Sequence, residues 1–278
     1  SDHRRNFASR RYGVEEYATI IYPARVRAGH GWRDVTNING TFLLPETDDC
    51  LRWGIENCDL MQFDLGQFDA LLRIATRMRH QRSVIDGGSN LGSWSIPLAR
   101  RHPRLMFHTF EVQRFMFQLA CGSAALSGCN NIEAHHCALG CQMEMRQLAM
   151  PDYECPGNFG AFEVQAPWTN SDGELVKQGG LEWISFYPLD AFNLDALLIK
   201  LDIEGMEEAA LQGAVNTIDQ HRPIVWCENI KSNPQGIIPL FVTRGYDVSL
   251  VIEKGWLFLP PWMQQDAELK LFLCSASV

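Results

Sequence analysis

The chain has no apolar run of roughly 18 residues or more, the length a helix needs to cross a bilayer. It also has no charged-then-apolar leader at its N-terminus. Neither a membrane span nor secretion is indicated, so the sequence reads as a soluble, cytoplasmic protein. It begins at Ser1 rather than Met, which fits a trimmed chain or a piece of a larger one. No C-x-x-C pair occurs among the nine cysteines at 50, 58, 121, 129, 137, 141, 155, 227 and 274. An odd, scattered set reads as reduced thiols, several of them in core elements, and disfavours a structural zinc site. Basic residues are in deficit: 24 Lys and Arg against 33 Asp and Glu leave a formal charge of −9. That field repels phosphates, so a nucleic-acid partner is disfavoured and a small molecule, sugar or lipid fits better. Internal repeats and low-complexity stretches are missing as well.

What is present fits one α/β domain with an appended cap, since 278 residues at 46% hydrophobic content support a sizeable core. Ser83-Val84-Ile85-Asp86-Gly87-Gly88-Ser89-Asn90-Leu91-Gly92 is an apolar strand running into an Asp and a glycine-rich turn that should open a helix. Glycines let backbone approach a ligand closely, and a helix N-terminus offers free N–H groups, so this is the build of a nucleotide-type cofactor site. A dinucleotide fingerprint needs G-x-G-x-x-G; after Gly87 its second glycine is replaced by Ser89, which disfavours NAD. Alone, such a loop is weak support, because Asp–Gly turns occur between many strands and helices.

Its company gives it weight. Leu105 to Glu111 is an apolar, aromatic run closing in a carboxylate 25 residues after Asp86, near the spacing of about 20 expected for a ribose-binding acid. A helix from Arg114 to Ser127 leads to a third strand, Ile132 to Leu139, ending in Ala138-Leu139-Gly140. The fourth strand reads Ala196-Leu197-Leu198-Ile199-Lys200-Leu201-Asp202-Ile203-Glu204-Gly205, and the fifth Pro223-Ile224-Val225-Trp226-Cys227-Glu228-Asn229.

The loop Asp86 to Gly92 and the K-x-D-x-E-G run from Lys200 to Gly205, together with the order of the acids between them, resemble the FkbM family of S-adenosylmethionine-dependent methyltransferases over roughly residues 80 to 230. The resemblance implies a Rossmann-like class I methyltransferase fold: a seven-stranded, mostly parallel sheet with antiparallel closing strands, here Tyr246–Ile252, Trp256–Leu259 and Leu269–Cys274. It implies cofactor contacts from Asp86, Gly88, Ser89, Asn90, Gly92, Glu111, Val112, Ala138, Leu139 and Asp202. Ala138 and Leu139 would lie against adenine and Asn90 against the methionine part. It also implies O-methylation of a hydroxyl on a sugar, glycan or natural product. The Asn/Asp-Pro-Pro-aromatic run of base N-methylating enzymes is replaced here by Asp202-Ile203-Glu204-Gly205, and ribose 2′-O-methylation is disfavoured by the acidic balance.

Residues 1–75 read as an N-terminal cap and 76–278 as the methyltransferase domain, with an insertion at about 142–188. The cap should hold a hairpin near Gly40–Pro45, followed by a helix from Gln67 to Met78 packed on the sheet. The insertion should add strands at Phe159–Val164 and Trp183–Tyr187. Its aromatics Phe159, Phe162, Trp168, Trp183, Phe186 and Tyr187 fit either a substrate wall or a small local core.

Catalysis leaves several readings open. A hydroxyl acceptor must lose its proton, which calls for a general base or a metal. Period-2 alternation turns Leu198, Lys200, Asp202 and Glu204 one way, and Asp202 and Glu228 end neighbouring strands where open α/β sheets bind ligands. Either carboxylate could take the proton. Alternatively Asp202, Glu228 and Asn229 could hold Mg²⁺, a hard ion suited to oxygen ligands. In the blandest reading the cluster only positions the cofactor, Glu204-Gly205 caps the next helix and Lys200 neutralises a buried carboxylate. His30, in a glycine-flanked segment, is a further base candidate, or an ordinary loop histidine. His135 and His136 read as satisfied histidines, and Trp94 as filler of the helix–sheet interface or as a cofactor neighbour. A catalytically silent module that keeps the cofactor fold is the alternative to an enzyme, with a nicotinamide dehydrogenase third.

Overall fold

The computed structural model describes residues 27–28, 31–57, 59–164, 178–250, 255–267 and 269. The described residues open with three antiparallel strands, β1 (Arg27–Ala28), β2 (Trp32–Asn37) and β3 (Gly40–Pro45), then two helices, α1 (Asp49–Asn57) and α2 (Asp59–Met78). Strand and helix then alternate through β4 (Ser83–Gly87), α3 (Ser95–Arg101), β5 (Met106–Glu111), α4 (Arg114–Leu126) and β6 (Ile132–His136). A second small sheet interrupts the alternation: β7 (Ala138–Leu139), β8 (Glu144–Pro151) and β9 (Gln178–Tyr187). It resumes with β10 (Ala196–Leu201), α5 (Glu207–Gln212), α6 (Val215–His221), β11 (Ile224–Glu228), α7 (Pro234–Val242), β12 (Asp247–Leu250) and β13 (Gly255–Leu259).

The main sheet has the order β12-β13-β11-β10-β4-β5-β6. Strands β11, β10, β4, β5 and β6 run parallel, and β13 lies antiparallel between β11 and β12. This is the seven-stranded, mostly parallel sheet with antiparallel closing strands that the resemblance implied. The order of strands reverses at the β10–β4 boundary, with β5 and β6 laid down on one side of β4 and β10 and β11 on the other, so the C-terminal ends of β4 and β10 border the crevice where such sheets take ligands. Among the described residues no helix is long and apolar enough to cross a membrane.

Alternation along the central strands builds a core on each face, as a doubly covered parallel sheet requires. Val84, Phe107, Leu198 and Trp226 pack under α2 and α3 with Phe68, Leu72 and Leu98. Ile85, Phe110, Ile199, Val225 and Phe258 face Leu211, Ile218 and Phe241 from α5, α6 and α7. Each fully buried large side chain contributes about 1.5–3 kcal/mol. A third cluster joins the cap to the insertion through Phe42, Leu44, Ile55, Met116, Phe159, Ile184 and Phe186.

Several elements differ from expectation for identifiable reasons. The third strand is broken at Cys137: β6 ends beside β5 at His136, and Ala138–Leu139 swing out to pair with Phe186 and Tyr187 of β9. Phe159–Ala161 is a 3-10 turn rather than a strand, because its backbone bonds go to side chains. Asp48 Oδ2 accepts the Phe159 N–H at 2.8 Å, and Gln113 Nε2 donates to the Phe159 carbonyl at 2.8 Å. The partner of β9 is instead β8, which pattern reading passes over. Helix α2 begins eight residues before the expected Gln67. Asp48 caps α1 by accepting the Leu51 N–H at 2.9 Å. Of the expected closing strand Leu269–Cys274, all but Leu269 lies outside the described residues.

The cap hairpin is held by an unusual device. Backbone N–H groups of β3 donate to hydroxyls of α4 and its C-terminal cap, Leu43 to Ser123 Oγ at 2.8 Å and Thr41 to Ser127 Oγ at 2.9 Å. Gly122 makes room, since a Cβ there would lie 2.5 Å from Leu43 Cδ1. Each of Ser123→Ala and Ser127→Ala leaves a strand N–H without its partner and should cost about 1–3 kcal/mol. Urea denaturation checks this; a wild-type midpoint for both variants contradicts it.

Candidate functional site

The two central strands are locked together by a pair of opposite charges in register. Lys200 on β10 stands opposite Asp86 on β4, and its Nζ donates to Asp86 Oδ1 at 2.9 Å. Ser95, the first residue of α3, donates its hydroxyl to Asp86 Oδ2 at 2.5 Å. Asp86 is fully buried with both oxygens engaged, and it does not line the cavity above it. Burial pushes the Lys200 pKa down, but the Asp86 and Asp202 carboxylates outweigh it and the net direction is up. The ammonium therefore stays charged in the core.

Above this pair the backbone of the glycine loop packs directly on the turn after β10. Gly88 has φ +76°, and a Cβ on it would sit 1.8 Å from the Asp202 carbonyl oxygen, so no side chain fits. Gly88 and Ser89 both donate N–H to the Phe110 carbonyl, at 3.0 and 3.1 Å, and Asp202 N–H donates to the Gly87 carbonyl at 3.1 Å. Helix α3 begins at Ser95, three residues beyond Gly92, because a turn intervenes.

These contacts frame a cavity of about 400 Å³ at the C-terminal ends of β4, β5, β10 and β11. Gly88, Ser89, Asn90, Glu111, Val112, Ala138, Leu139, Asp202 and Glu228 all line it, so nine of the residues singled out in the sequence converge. Asp86 and Gly92 stand behind it as supports, Asn229 is outside it, and His30 lies outside the described residues. Trp94 lines the cavity and also packs edge-on against Phe68 at 4.9 Å. Of the insertion aromatics Phe162 reaches the cavity, Phe159 and Phe186 are core, Trp183 is exposed, and Trp168 lies outside the described residues.

The cavity has two chemically distinct ends. At one, Glu111 accepts the N–H of Asn90 and of Gln113, each at 2.8 Å. Burial raises its pKa to about 7, against the pull of those N–H groups. Phe110, Cys137, Ala138 and Leu139 supply apolar surface beside it. At the other end, single carboxylate oxygens of Asp202, Glu204 and Glu228 lie within 4.8 Å of one another. Burial, then repulsion from Asp202, Glu204 and Glu207, raises Glu228 to about 8. Glu204 is also raised by burial, although Lys231 Nζ holds it at 2.6 Å. The same ammonium reaches Glu163 at 2.6 Å and so ties the insertion to the turn after β10.

Beside Asp202 and Glu228, two of the three residues considered from the sequence for a cation, Glu204 brings a third carboxylate, whereas Asn229 does not line the cavity. Glu204 is turned inward by a backbone φ of +54°, which strand alternation does not foretell. Glu207, not Glu204, caps the following turn, accepting the Ile203 and Gly205 N–H groups at 2.9 Å. Sequence reading also missed Gln113, Ser95 and Lys231. None lies in a recognisable spacing, though a polar residue two positions after a strand-ending acid is a usable signal for Gln113.

Removing the ammonium strands a buried carboxylate. Lys200→Met should cost about 3–5 kcal/mol, and adding Asp86→Asn should recover part of that loss. An additive double variant in denaturant titrations contradicts the pairing. Glu228 gives a second check. Its folded pKa lies above its unfolded value, so the folded state holds a proton the unfolded state has lost between about pH 4.5 and 8. Stability is then lost as pH rises through that window, and Glu228→Gln should stabilise the protein more at pH 9 than at pH 5. Equal effects at both pH values contradict the shift.

With the geometry established, likeness to known proteins can be placed on it. The model for the Methyltransferase FkbM domain matches residues 184–257. That segment carries Lys200, Asp202, Glu204 and Glu228; the glycine loop and Glu111 lie before it. No curated protein sequence matches the chain. The crystal structure of Methyltransferase FkbM from Methylobacillus flagellatus is similar at 18% identity, with a TM-score of 0.43, over 64% of this chain and 43% of that one. This chain thus spans less than half of that protein's length. A Pyrococcus abyssi tRNA (uracil-54, C5)-methyltransferase in complex with S-adenosyl-L-homocysteine shares 11% identity over 83% of this chain and 44% of its own, with a TM-score of 0.38. A precorrin-6y C5,15-methyltransferase from Geobacter metallireducens shares 10% over 68% of this chain and 84% of its own, with a TM-score of 0.37.

Proposed function

We propose that the protein is an S-adenosylmethionine-dependent O-methyltransferase acting on a hydroxyl of a sugar, glycan or natural-product small molecule. The observation that carries this reading is the two-ended cavity, with a buried acid and apolar wall at one end and a raised-pKa carboxylate at the other. Its volume of about 400 Å³ lies within the range of small-ligand sites, roughly 300–1,000 Å³. Two buried polar atoms on its lining, Asn90 Oδ1 and Trp94 Nε1, have no hydrogen-bond partner among the described residues, as expected of groups that await a ligand. The Gly88 cradle fits a ligand that needs close backbone approach. The FkbM match over 184–257 supports methyl transfer as the chemistry.

In this reading Glu111 receives the ribose hydroxyls, Val112, Ala138 and Leu139 flank the adenine, and Asn90 meets the methionine part. The cofactor supplies an already activated methyl group. The chain's part is to align the acceptor, exclude water and take its proton. Glu228 is the preferred base: a carboxyl held at about 8 binds a proton far better than an ordinary glutamate. Asp202 and Glu204, by repelling charge on Glu228, keep its proton affinity high, and Lys231 holds Glu204 in place for that task. Residues before 76 and the segment 142–188 act as cap and insertion, with Phe162 and Val164 walling the acceptor side. A base of this kind needs no metal, so turnover should survive excess EDTA.

Calorimetry should show S-adenosylhomocysteine binding with no detectable binding of NAD, and Glu111→Ala should weaken it at least about tenfold, the loss of one charge-assisted hydrogen bond. In assays against a panel of hydroxyl acceptors, Glu228→Gln should lower kcat about 10²- to 10⁴-fold with little change in cofactor affinity. Wild-type kcat/KM should rise with pH and level off near 8. Cofactor uptake without S-adenosylhomocysteine production from any acceptor would favour a silent binding module, and preferential NAD binding a dehydrogenase.

A further inference from the structure

A second constellation lies on different strands from the carboxylates of the cavity. His108 on β5 stands opposite Glu133 on β6, and Phe110 opposite His135, so two imidazoles and a carboxylate share one face at the open edge of the main sheet. His108 Nδ1 is 3.5 Å from His135 Nε2 and 3.6 Å from Glu133 Oε2, and all three ligand atoms lie within 4.8 Å of one another. Both measured gaps exceed the 2.7–3.2 Å or so of a good hydrogen bond, yet they approach the edge of roughly 3.3–3.4 Å that tetrahedral bonds of about 2.0–2.1 Å generate.

The surroundings hold this arrangement. His135 is packed between Phe110, at 4.6 Å between ring centres, and Phe192 at 5.0 Å, which restricts its ring. His108 is buried and Glu133 exposed, so the group opens to solvent through its carboxylate. Asp195 adds negative charge nearby. We propose that His108, Glu133 and His135 bind one divalent transition-metal ion, zinc being the best match to two imidazoles and a carboxylate, with water in the fourth position. Cysteine spacing gives no hint of such a site, because it uses none. The ion would fasten the edge strand β6 to β5, just below the Phe110 ring that lines the cavity.

Metal-stripped, tag-free protein titrated with Zn²⁺ in a calorimeter should take up one tight equivalent, and the Co²⁺ form should show the intense visible bands of a tetrahedral ion. Saturation at about 100 times Kd should raise Tm by about 5 °C or more. Glu133→Gln, at an exposed position where refolding is not in question, should weaken binding at least about tenfold, and His135→Ala should abolish it. Asp202→Asn should leave it intact. No uptake at about 100 times a micromolar protein concentration would overturn the proposal. So would uptake that survives both Glu133→Gln and His135→Ala but disappears in Asp202→Asn.

Discussion

The Lys200–Asp86 pair is the constraint on which the rest of the site is built. It lies where the two central strands meet, and Ser95 adds a third group that fixes where α3 starts. A buried pair of this kind is not a strong source of net stability, since desolvation cancels much of the attraction. Its value is positional. With the strands held in register, the Gly88 backbone rests on the Asp202 carbonyl, and the loop and the turn after β10 can approach only because Gly88 lacks a side chain. The floor of the cavity and the carboxylates at its far end are therefore set by one contact between neighbouring strands.

Charge is distributed unevenly along the cavity, and this sets what it can do. Lys200 serves Asp86 first, 2.9 Å away, and lies 3.9 Å from Asp202, while Lys231 is committed to Glu163 and Glu204. Among the described residues no ion pair holds Glu228, and burial with repulsion from Asp202, Glu204 and Glu207 outweighs the pull of Lys231 on it. An acid in that position gains proton affinity from its neighbours, which suits a group that must accept a proton and then release it. On the proposed reading, the same crowding disfavours an acceptor carrying phosphate or carboxylate near the reacting atom, whereas a neutral, hydroxylated acceptor meets no such penalty.

Much of the fold was legible because parallel central strands are nearly continuous apolar runs closed by polar residues, as in Val84–Ile85–Asp86 and Leu197 to Asp202. The insertion was less legible. Phe159–Ala161 alternates like a strand, but Asp48 and Gln113, remote in sequence, capture its backbone groups and curl it into a turn. The site divides in the same way. Glycines and strand-ending acids announce themselves by spacing, whereas Glu204 enters the cavity through a positive φ that no periodicity encodes. Asp86 is the converse case: its place in the motif suggests a role in orienting the loop and contacting the ligand, and the structure seals it beneath the floor, holding Lys200 and Ser95.

The account stands or falls on what occupies the cavity above the Lys200–Asp86 pair. A crystal structure grown with S-adenosylhomocysteine tests it most directly. The account predicts density with the ribose hydroxyls at Glu111, the adenine beside Leu139, and the sulfur turned toward open space in front of Glu228. Density for the nucleoside elsewhere on the chain, or its sulfur facing away from Glu228, would contradict it.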